Sequence, residues 1–230
     1  MGAFQSECVK YVSARDSVED VQACVGNRLK VKLLADAAFW AKEAYGVTAQ
    51  KSSKIGIGLI RGTALRSYGS SFSTDDWVNL FADIGQELKE RNYDFFFFTN
   101  GLPNDYVIGE KVIAKMGLGK EYLVPRPTND RELLDTIAEC RGLITCRMHS
   151  SIAASSLGIP SVILSWNKKV DKYMQSMGYP ERAISLQDFN AKIIVDRLDT
   201  ALKEGLSDES ARRMRHLAKE SVDDYVYMLG

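Results

Sequence analysis

The sequence predicts an α/β protein built on a doubly wound parallel sheet. Short apolar segments alternate with longer amphipathic segments from Lys54 to about Ser185. The apolar segments lack the polar alternation of strands that have one face in water, and this is typical of parallel strands buried between two layers of helices. Five or six such strand–helix units form one complete domain, because right-handed crossovers place helices on both faces of the sheet.

The first unit joins the segment KIGIGLI, which starts at Lys54, to a helix that begins near Ser73. Ser73 or Thr74 fits the N-cap, and the acidic pair Asp75–Asp76 favours the first turn. Apolar residues then recur at helical spacing, so this helix buries one face. The acidic pair is therefore interpreted as part of a helix cap rather than a magnesium site.

The later units continue the alternation. Strands are predicted in YDFFFFTNG, EYLVP, GLITC and SVILSW, with YDFFFF and SVILS at the centre of the sheet. Helices are predicted in YVIGEKVIAKMG, NDRELLDTIAEC, SSIAASSLG and KKVDKYMQSMG, and Gly178 ends the last of these. Two more helical stretches, from about Leu186 to Glu204 and from Ser207 to Met228, end the chain.

The beginning of the chain has the pattern of a strand, a helix and a second strand, with Ser17 and Gly26 at the ends of the helix. Such a segment cannot bury a core of its own. We expect it to be the remnant of a preceding domain, covered by the C-terminal helix or by a second copy of the chain. The predicted organisation is a remnant at 1–45, a linker at 46–53, a complete domain at 54–185 and C-terminal helices at 186–230.

The composition excludes several classes of protein. Thirty basic and thirty acidic side chains give a net charge of zero, so nucleic acid is not expected as a partner. Four cysteines lack the spacing of a zinc site, and no metal is predicted. Reduced thiols, and the lack of a membrane-spanning run or a signal-peptide pattern, indicate a cytoplasmic protein. Peripheral attachment to the inner face of the membrane is left open.

The candidate site follows the segment GLITC. Arg147 and His149 come directly after this strand, and Ser150 and Ser151 begin the next predicted helix. In open α/β sheets, ligands bind beyond the carboxyl ends of the strands, and the N-terminus of a helix attracts anions. The pattern predicts a phosphate or carboxylate site with a proton donor beside it. A histidine that only caps its own loop fits the spacing equally well.

Two further cations follow strands of the predicted sheet. Arg61 comes after KIGIGLI and Lys169 after SVILSW, and each is either an anion ligand or a solvated surface residue. Arg126, between two prolines, is a weaker candidate. His216 lies among basic residues of a predicted helix and is interpreted as a surface residue.

Three segments resemble the polysaccharide pyruvyl transferase family. The stretch from Arg147 to Gly178 is similar to its R-x-H-(small)-x-I-A-A-x-x-L-G-I-P segment and to the K-x-D-x-(aromatic) pattern that follows. VSARDSVEDVQACVG, with Arg15 and Asp16, resembles the family's S-x-R-D-x-x-S segment. LLADAAFW, with Asp36, resembles its D-x-(A/F)-F segment. The resemblance implies the Rossmann-like half of a two-domain GT-B type architecture, preceded by the end of the first Rossmann-like domain.

The resemblance also implies a reaction. A pyruvyl group would pass from phosphoenolpyruvate to two hydroxyls of a polysaccharide or lipid-linked sugar of the cell envelope or an exopolysaccharide, forming a pyruvate ketal without a further cofactor. His149 would be the acid that protonates the methylene carbon, and Arg147 would hold the phosphate or the carboxylate. The remaining donor ligands would be Arg61, Lys169, Ser150 and Ser151.

The chain departs from the family at its start. Family members usually carry about another domain of sequence before the S-x-R-D segment, including a G-N-x-G-D loop that this sequence lacks. We expect either a natural short homologue or a part of a longer protein, and its activity without a full first domain is left open. Two alternatives share the architecture: a GT-B glycosyltransferase that uses a nucleotide sugar, and a non-catalytic truncated homologue. A homo-oligomer is compatible with all three.

Overall fold

A five-stranded parallel sheet forms the centre of the structure, which is a computed structural model that describes residues 3–62 and 72–229. The strands in chain order are β1 (Ser13–Ala14), β2 (Lys32–Leu33), β3 (Ile55–Leu59), β4 (Phe95–Thr99), β5 (Gly142–Thr145), β6 (Ser161–Leu164) and β7 (Ala183–Ile184). The helices are α1 (Val18–Val25), α2 (Ala41–Tyr45), α3 (Thr74–Glu90), α4 (Pro103–Met116), α5 (Asp130–Ala138), α6 (Met148–Ser156), α7 (Lys168–Met177), α8 (Ala191–Glu204) and α9 (Asp208–Leu229).

The order of strands in the main sheet is β4-β3-β5-β6-β7, and every pair is parallel. Helices pack on both faces, which confirms the predicted α/β class. One face carries α3 and α8, whereas the other carries α5 and α6. The chain runs outward in opposite directions from β3 and β5, so the switch point of the topology lies between these two strands. In open α/β sheets, the ligand-binding crevice lies at the carboxyl ends of such a pair of strands.

The prediction that the YDFFFF segment lies at the centre of the sheet is wrong, because β4 is the last full strand on its side. Its five residues are nevertheless buried. Phe95 and Phe97 contribute to the core on the α3 face, and Phe96 and Phe98 to the core on the α5 face. By contrast, β6 lies between β5 and β7 as predicted.

The EYLVP segment is not a strand. It forms a 3₁₀ turn at Lys120–Tyr122, after which Leu123 makes one parallel bridge to Phe97. The backbone N–H of Val124 donates to the carbonyl of Phe97 at 2.9 Å. This short contact covers part of the outer edge of β4.

The N-terminal segment forms a separate two-stranded parallel sheet, in which α1 connects β1 to β2. The C-terminal helix covers it, as expected. Asp224 of α9 accepts hydrogen bonds from Tyr11 at 2.8 Å and from Lys32 at 2.7 Å. Near the other end of α9, the indole N–H of Trp40 donates to the carbonyl of Arg215 at 3.0 Å. No helix within the described residues has the length and apolar composition needed to cross a membrane.

Helix ends agree with the sequence in most places. Ser73 caps α3 in a capping box with Asp76, and Gly178 ends α7 with a φ of 83°. Ser17 precedes α1 but does not cap it, since its φ is 51° and its side chain makes no cap hydrogen bond. Instead, its hydroxyl donates to Asp16 at 2.9 Å and accepts from Lys172 at 2.6 Å.

Two helices begin earlier than the sequence indicated, and both differences affect the candidate site. The helix α4 begins at Pro103, which is suited to the first helical position because its ring fixes φ and it has no N–H to leave unpaired. The helix α6 begins at Met148, with Arg147 as its N-cap residue. His149 therefore lies in the first turn of a helix and not in a loop.

Candidate functional site

The crevice between β3 and β5 brings two arginines to one buried carboxylate. Arg61 follows β3, Arg147 follows β5, and Asp105 belongs to the first turn of α4, which follows the neighbouring strand β4. The side chain of Asp105 is fully buried. Its Oδ1 accepts from the backbone N–H of Arg61 at 3.0 Å and lies 3.6 Å from Nη1 of the same residue. Its Oδ2 accepts a hydrogen bond from Nη2 of Arg147.

The charges in this crevice do not cancel. Two guanidinium groups face one carboxylate, and the side chains of Arg61 and Arg147 remain 38% and 25% exposed. Nε of Arg147 is buried and has no hydrogen-bond partner among the described residues. A buried donor without a partner costs free energy, which an acceptor atom from a ligand or water can offset. The crevice therefore favours an anion that carries hydrogen-bond acceptors.

His149 lies two residues beyond Arg147 and contacts the N-terminal segment. Its Nε2 is 3.3 Å from Oδ2 of Asp36, and its side chain is 62% exposed. The same carboxylate accepts a hydrogen bond from Arg15 and, through Oδ1, one from the backbone N–H of Ala38 at 3.0 Å. The three segments that carry the family resemblance thus meet at one point through Arg15, Asp36 and His149.

The environment of Asp36 favours its ionised form. The hydrogen bond from His149 lowers the pKa of Asp36 from 3.8 to about 2, and the Ala38 N–H and the charge of Arg15 act in the same direction against the opposing effect of burial. Asp36 is therefore a permanent negative charge beside the imidazole at any pH near neutrality.

Lys169 lies on the same side of the site as His149. It is exposed in the first turn of α7, where Asn167 caps the helix by accepting from the Lys169 N–H at 3.0 Å. Together with Arg15, Asp36 and Met148 it lines a cavity between α7 and the N-terminal segment. The structure therefore brings Lys169 close to the carboxylate that contacts His149.

The hydroxyls of Ser150 and Ser151 do not line the crevice, and their predicted role as ligands is corrected. Both residues are fully buried. Ser150 donates to Oδ1 of Asn100 at 2.8 Å, and Ser151 lies 2.7 Å from the hydroxyl of Ser161 and 3.1 Å from that of Tyr173. Their backbone N–H groups donate to the carbonyl of the N-cap residue of α6. The two serines anchor α6 to its neighbours.

The remaining candidates have other contacts. Arg126 donates to the carbonyl of Gly101 at 2.8 Å. His216 is exposed on α9, with Nε2 at 4.0 Å from Glu220, which agrees with a surface position. No group of three or more His, Cys, Asp or Glu side chains that could hold a metal ion occurs in the described part of the chain.

Two residues of the site were not predicted from the sequence. Asp105 and Asn100 both follow β4, at the same edge of the sheet as Arg61 and Arg147. The rule that ligands bind beyond the carboxyl ends of parallel strands points to them as well. The sequence predicted a later start for α4, which placed Asp105 in a loop. A short polar residue in a loop does not by itself indicate a functional site.

Comparisons with known proteins agree with this architecture. A family model described as polysaccharide pyruvyl transferase matches residues 6–168, a range that includes Arg61, Asp105, Arg147 and His149. No curated protein matches the sequence.

Solved structures show the same fold at low sequence identity. The UDP-GlcNAc 2-epimerase from Methanocaldococcus jannaschii superposes with a TM-score of 0.61 at 11% identity, over 94% of this chain and 61% of that chain. The UDP-GlcNAc 2-epimerase from Neisseria meningitidis, bound to UDP-GlcNAc, gives 0.58 at 12% identity, over 93% and 60%. The chain therefore spans about three fifths of the length of either enzyme.

The contact between Asp105 and Arg147 predicts a strong coupling in stability. We expect Asp105→Ala to lower the free energy of unfolding by about 3 kcal/mol, because it leaves partly buried guanidinium groups without their counter-charge. The double variant Asp105→Ala with Arg147→Ala should be less destabilised than the sum of the two single variants, as measured by urea denaturation. Losses that simply add would contradict the coupling.

The lowered pKa of Asp36 predicts a pH-dependent part of the stability. Because the pKa is about 2 in the folded chain against 3.8 for the ordinary group, the ionised carboxylate stabilises the fold above pH 3.8, and this contribution is lost as the pH falls toward 2. In urea denaturation at a series of pH values, the difference in free energy of unfolding between the native chain and Asp36→Asn should shrink over this interval. A difference that stays constant would refute the prediction, and Asp83→Asn, at an exposed position of α3, serves as the control.

Proposed function

Because the chain belongs to the polysaccharide pyruvyl transferase family, we propose that it transfers a pyruvyl group from phosphoenolpyruvate to a sugar of a polysaccharide or lipid-linked glycan. The observation that carries this proposal is the pair of arginines on buried Asp105, with His149 two residues away in the first turn of α6. A polyanionic substrate needs cationic ligands, which the arginines supply, and the proton-transfer step needs an acid, which the histidine supplies.

The crevice supports binding of the donor through charge. Phosphoenolpyruvate carries a carboxylate and a phosphate, and both match the planar donors of a guanidinium. Arg147 contacts Asp105 through Nη2 and its side chain remains 25% exposed, so it can also contact the donor, and Arg61 adds a second cation. Both arginines lie at the N-terminus of α6 or next to it, where the helix dipole favours negative charge. Lys169 would approach the donor from the side of His149.

The reaction requires acid catalysis. A proton adds to the methylene carbon of phosphoenolpyruvate, the π electrons of the double bond form the new C–H bond, and the adjacent carbon becomes cationic. Two sugar hydroxyls attack that carbon in turn, its bond to the phosphate oxygen breaks, and the ketal forms. Of the two hydroxyl protons, one replaces the proton that the acid donated and the other leaves with the inorganic phosphate.

His149 suits the role of the acid because it is accessible and follows Arg147 by two residues. Its imidazole is 62% exposed, and it belongs to the same helix end as Arg147. A histidine can donate and recover a proton near neutral pH. Arg147 and Arg61 would hold the donor while the proton is transferred.

The proposed reaction also implies a cellular location and a class of product. The donor is a metabolite of the cytoplasm, which places the reaction there, at the inner face of the membrane if the acceptor is lipid-linked. The reaction proceeds without a further cofactor, and the product belongs to a cell-envelope or extracellular polysaccharide. We propose no nucleic-acid partner, since the net charge of the chain is zero.

The proposal predicts different effects for the two principal residues. Arg147→Ala should weaken the binding of phosphoenolpyruvate by about 10- to 100-fold, because it removes charge-assisted hydrogen bonds. His149→Ala should leave that affinity nearly unchanged and lower the rate of phosphate release in the presence of nitrophenyl or lipid-linked glycosides by about 100- to 10,000-fold. Calorimetric titration measures the affinity, and Arg212→Ala, at an exposed position of α9, is the control.

Two results would overturn the proposal. Binding of a nucleotide sugar without binding of phosphoenolpyruvate would indicate a glycosyltransferase instead. Failure of the chain to bind phosphoenolpyruvate or any other small anion would indicate a non-catalytic protein. Undiminished phosphate release by His149→Ala would leave the transfer reaction in place and show that another group is the acid.

A further inference from the structure

Asp36 contacts the imidazole of His149 from a separate part of the chain. It caps the 3₁₀ turn at Ala37–Trp40, which follows β2 after three residues, whereas His149 belongs to α6 of the main domain. The distance from Oδ2 of Asp36 to Nε2 of His149 is 3.3 Å. The contact joins two residues that lie more than a hundred positions apart in the sequence.

The carboxylate of Asp36 is held firmly in this position. Oδ1 accepts from the backbone N–H of Ala38 at 3.0 Å, and Oδ2 also accepts a hydrogen bond from Arg15. The next residues, Phe39 and Trp40, fasten the turn: Phe39 is buried, and Trp40 donates to the carbonyl of Arg215. The carboxylate is therefore held by several contacts, whereas the imidazole is 62% exposed.

We propose that Asp36 is the positioning residue of His149 and that Nδ1 of His149 is the nitrogen that delivers the proton. This inference rests on the proposed function, since it assigns the atom that performs the acid step. A proton on Nε2 is stabilised by the carboxylate oxygen 3.3 Å away, and in a neutral imidazole the other nitrogen then carries no proton. Nδ1 is thus the nitrogen left to exchange a proton with the substrate.

The step balances on this assignment. In the imidazolium form both ring nitrogens carry protons, and the Nε2 proton stays in its hydrogen bond to Asp36. The Nδ1–H bond breaks as the C–H bond forms at the methylene carbon of phosphoenolpyruvate. The product is neutral His149 protonated at Nε2, the tautomer that the carboxylate favours, as in other carboxylate–histidine pairs.

Through Asp36, the N-terminal segment contributes to the proposed acid step. Arg15 and Asp36 come from the region around the two-stranded sheet, and α9 holds that region through Asp224 and the carbonyl of Arg215. An acid whose orientation depends on this segment loses its alignment when the segment moves.

The variant Asp36→Asn isolates this contact. Asparagine is as good an N-cap residue as aspartate, so its carbonyl oxygen can still accept from Ala38. Its NH₂ group then faces His149 and Arg15 as a donor where the carboxylate was an acceptor. Asp36→Glu keeps the charge and tests for rescue. Asp20→Asn, at an 81% exposed carboxylate of α1, is the matched control.

Two measurements test the inference. The first is the ¹⁵N spectrum of the imidazoles, which distinguishes a protonated Nε2 from a protonated Nδ1. The chain has two histidines, so His216→Gln leaves the signals of His149 alone. We expect the Nε2-protonated tautomer in the native chain at high pH, and a loss of this preference in Asp36→Asn but not in Asp20→Asn.

The second measurement is phosphate release from phosphoenolpyruvate with a glycoside acceptor. Asp36→Asn should lower turnover on the order of 100-fold, the loss expected when a catalytic group is misplaced. The affinity for phosphoenolpyruvate should stay within about twofold, since the arginine crevice is untouched, and Asp36→Glu should recover part of the rate.

The outcomes separate this inference from the proposed function. An Nδ1-protonated native tautomer, or a native tautomer that Asp36→Asn does not change, overturns the inference whatever the activity. Unchanged turnover in Asp36→Asn overturns it as well. The expected tautomer together with no binding or turnover of phosphoenolpyruvate by the native chain overturns the proposed function, and with it the assignment of Nδ1 as the proton-delivering atom.

Discussion

A buried carboxylate at the switch point of the sheet determines how the candidate site is arranged. Asp105 comes from the helix after β4, yet it contacts the residue that follows β3 and the residue that follows β5. Ser150 adds a second connection when it donates to Asn100 at the end of β4. The carboxyl ends of three adjacent strands are thereby linked through side chains. Because the low dielectric of a buried site makes an unpaired charge costly, this arrangement fixes both arginines.

The site has two sides that are held by different parts of the chain. Arg61 and Arg147 depend on the main domain alone, through Asp105. His149 lies at the boundary with the N-terminal segment, where its Nε2 is 3.3 Å from Oδ2 of Asp36. In the proposed reaction, this division would separate the binding of the anionic donor from proton transfer. It also explains why short motifs far apart in the sequence converge in space.

The fold was largely predictable from the sequence, whereas parts of the site were not. The apolar segments predict the strands, and Ser73 and Gly178 predict helix ends that the structure shows. The position of β4 at the edge could not be predicted, because four consecutive phenylalanines look the same in any strand that is covered on both faces. The segment that ends in Leu123 covers its outer edge with one bridge, a contact too short to leave a pattern.

The polar residues of the site were also only partly predictable from the sequence. Arg147 and His149 follow a strand and begin a helix, which the sequence shows. Ser150 and Ser151 share that position, but they are buried on the inner side of the helix, where their hydroxyls bond to neighbouring elements. The role of Asp105 depends on the position of α4 relative to β3 and β5, which is a property of the tertiary structure.

A crystal structure of the chain with phosphoenolpyruvate tests the central claim most directly. We expect the ligand to occupy the crevice between β3 and β5, with its anionic groups on Arg61 and Arg147 and its methylene carbon toward His149. Asp105 should keep its contacts with both arginines. Phosphoenolpyruvate bound elsewhere, or a crevice in which the arginines turn away from the ligand, would contradict the account.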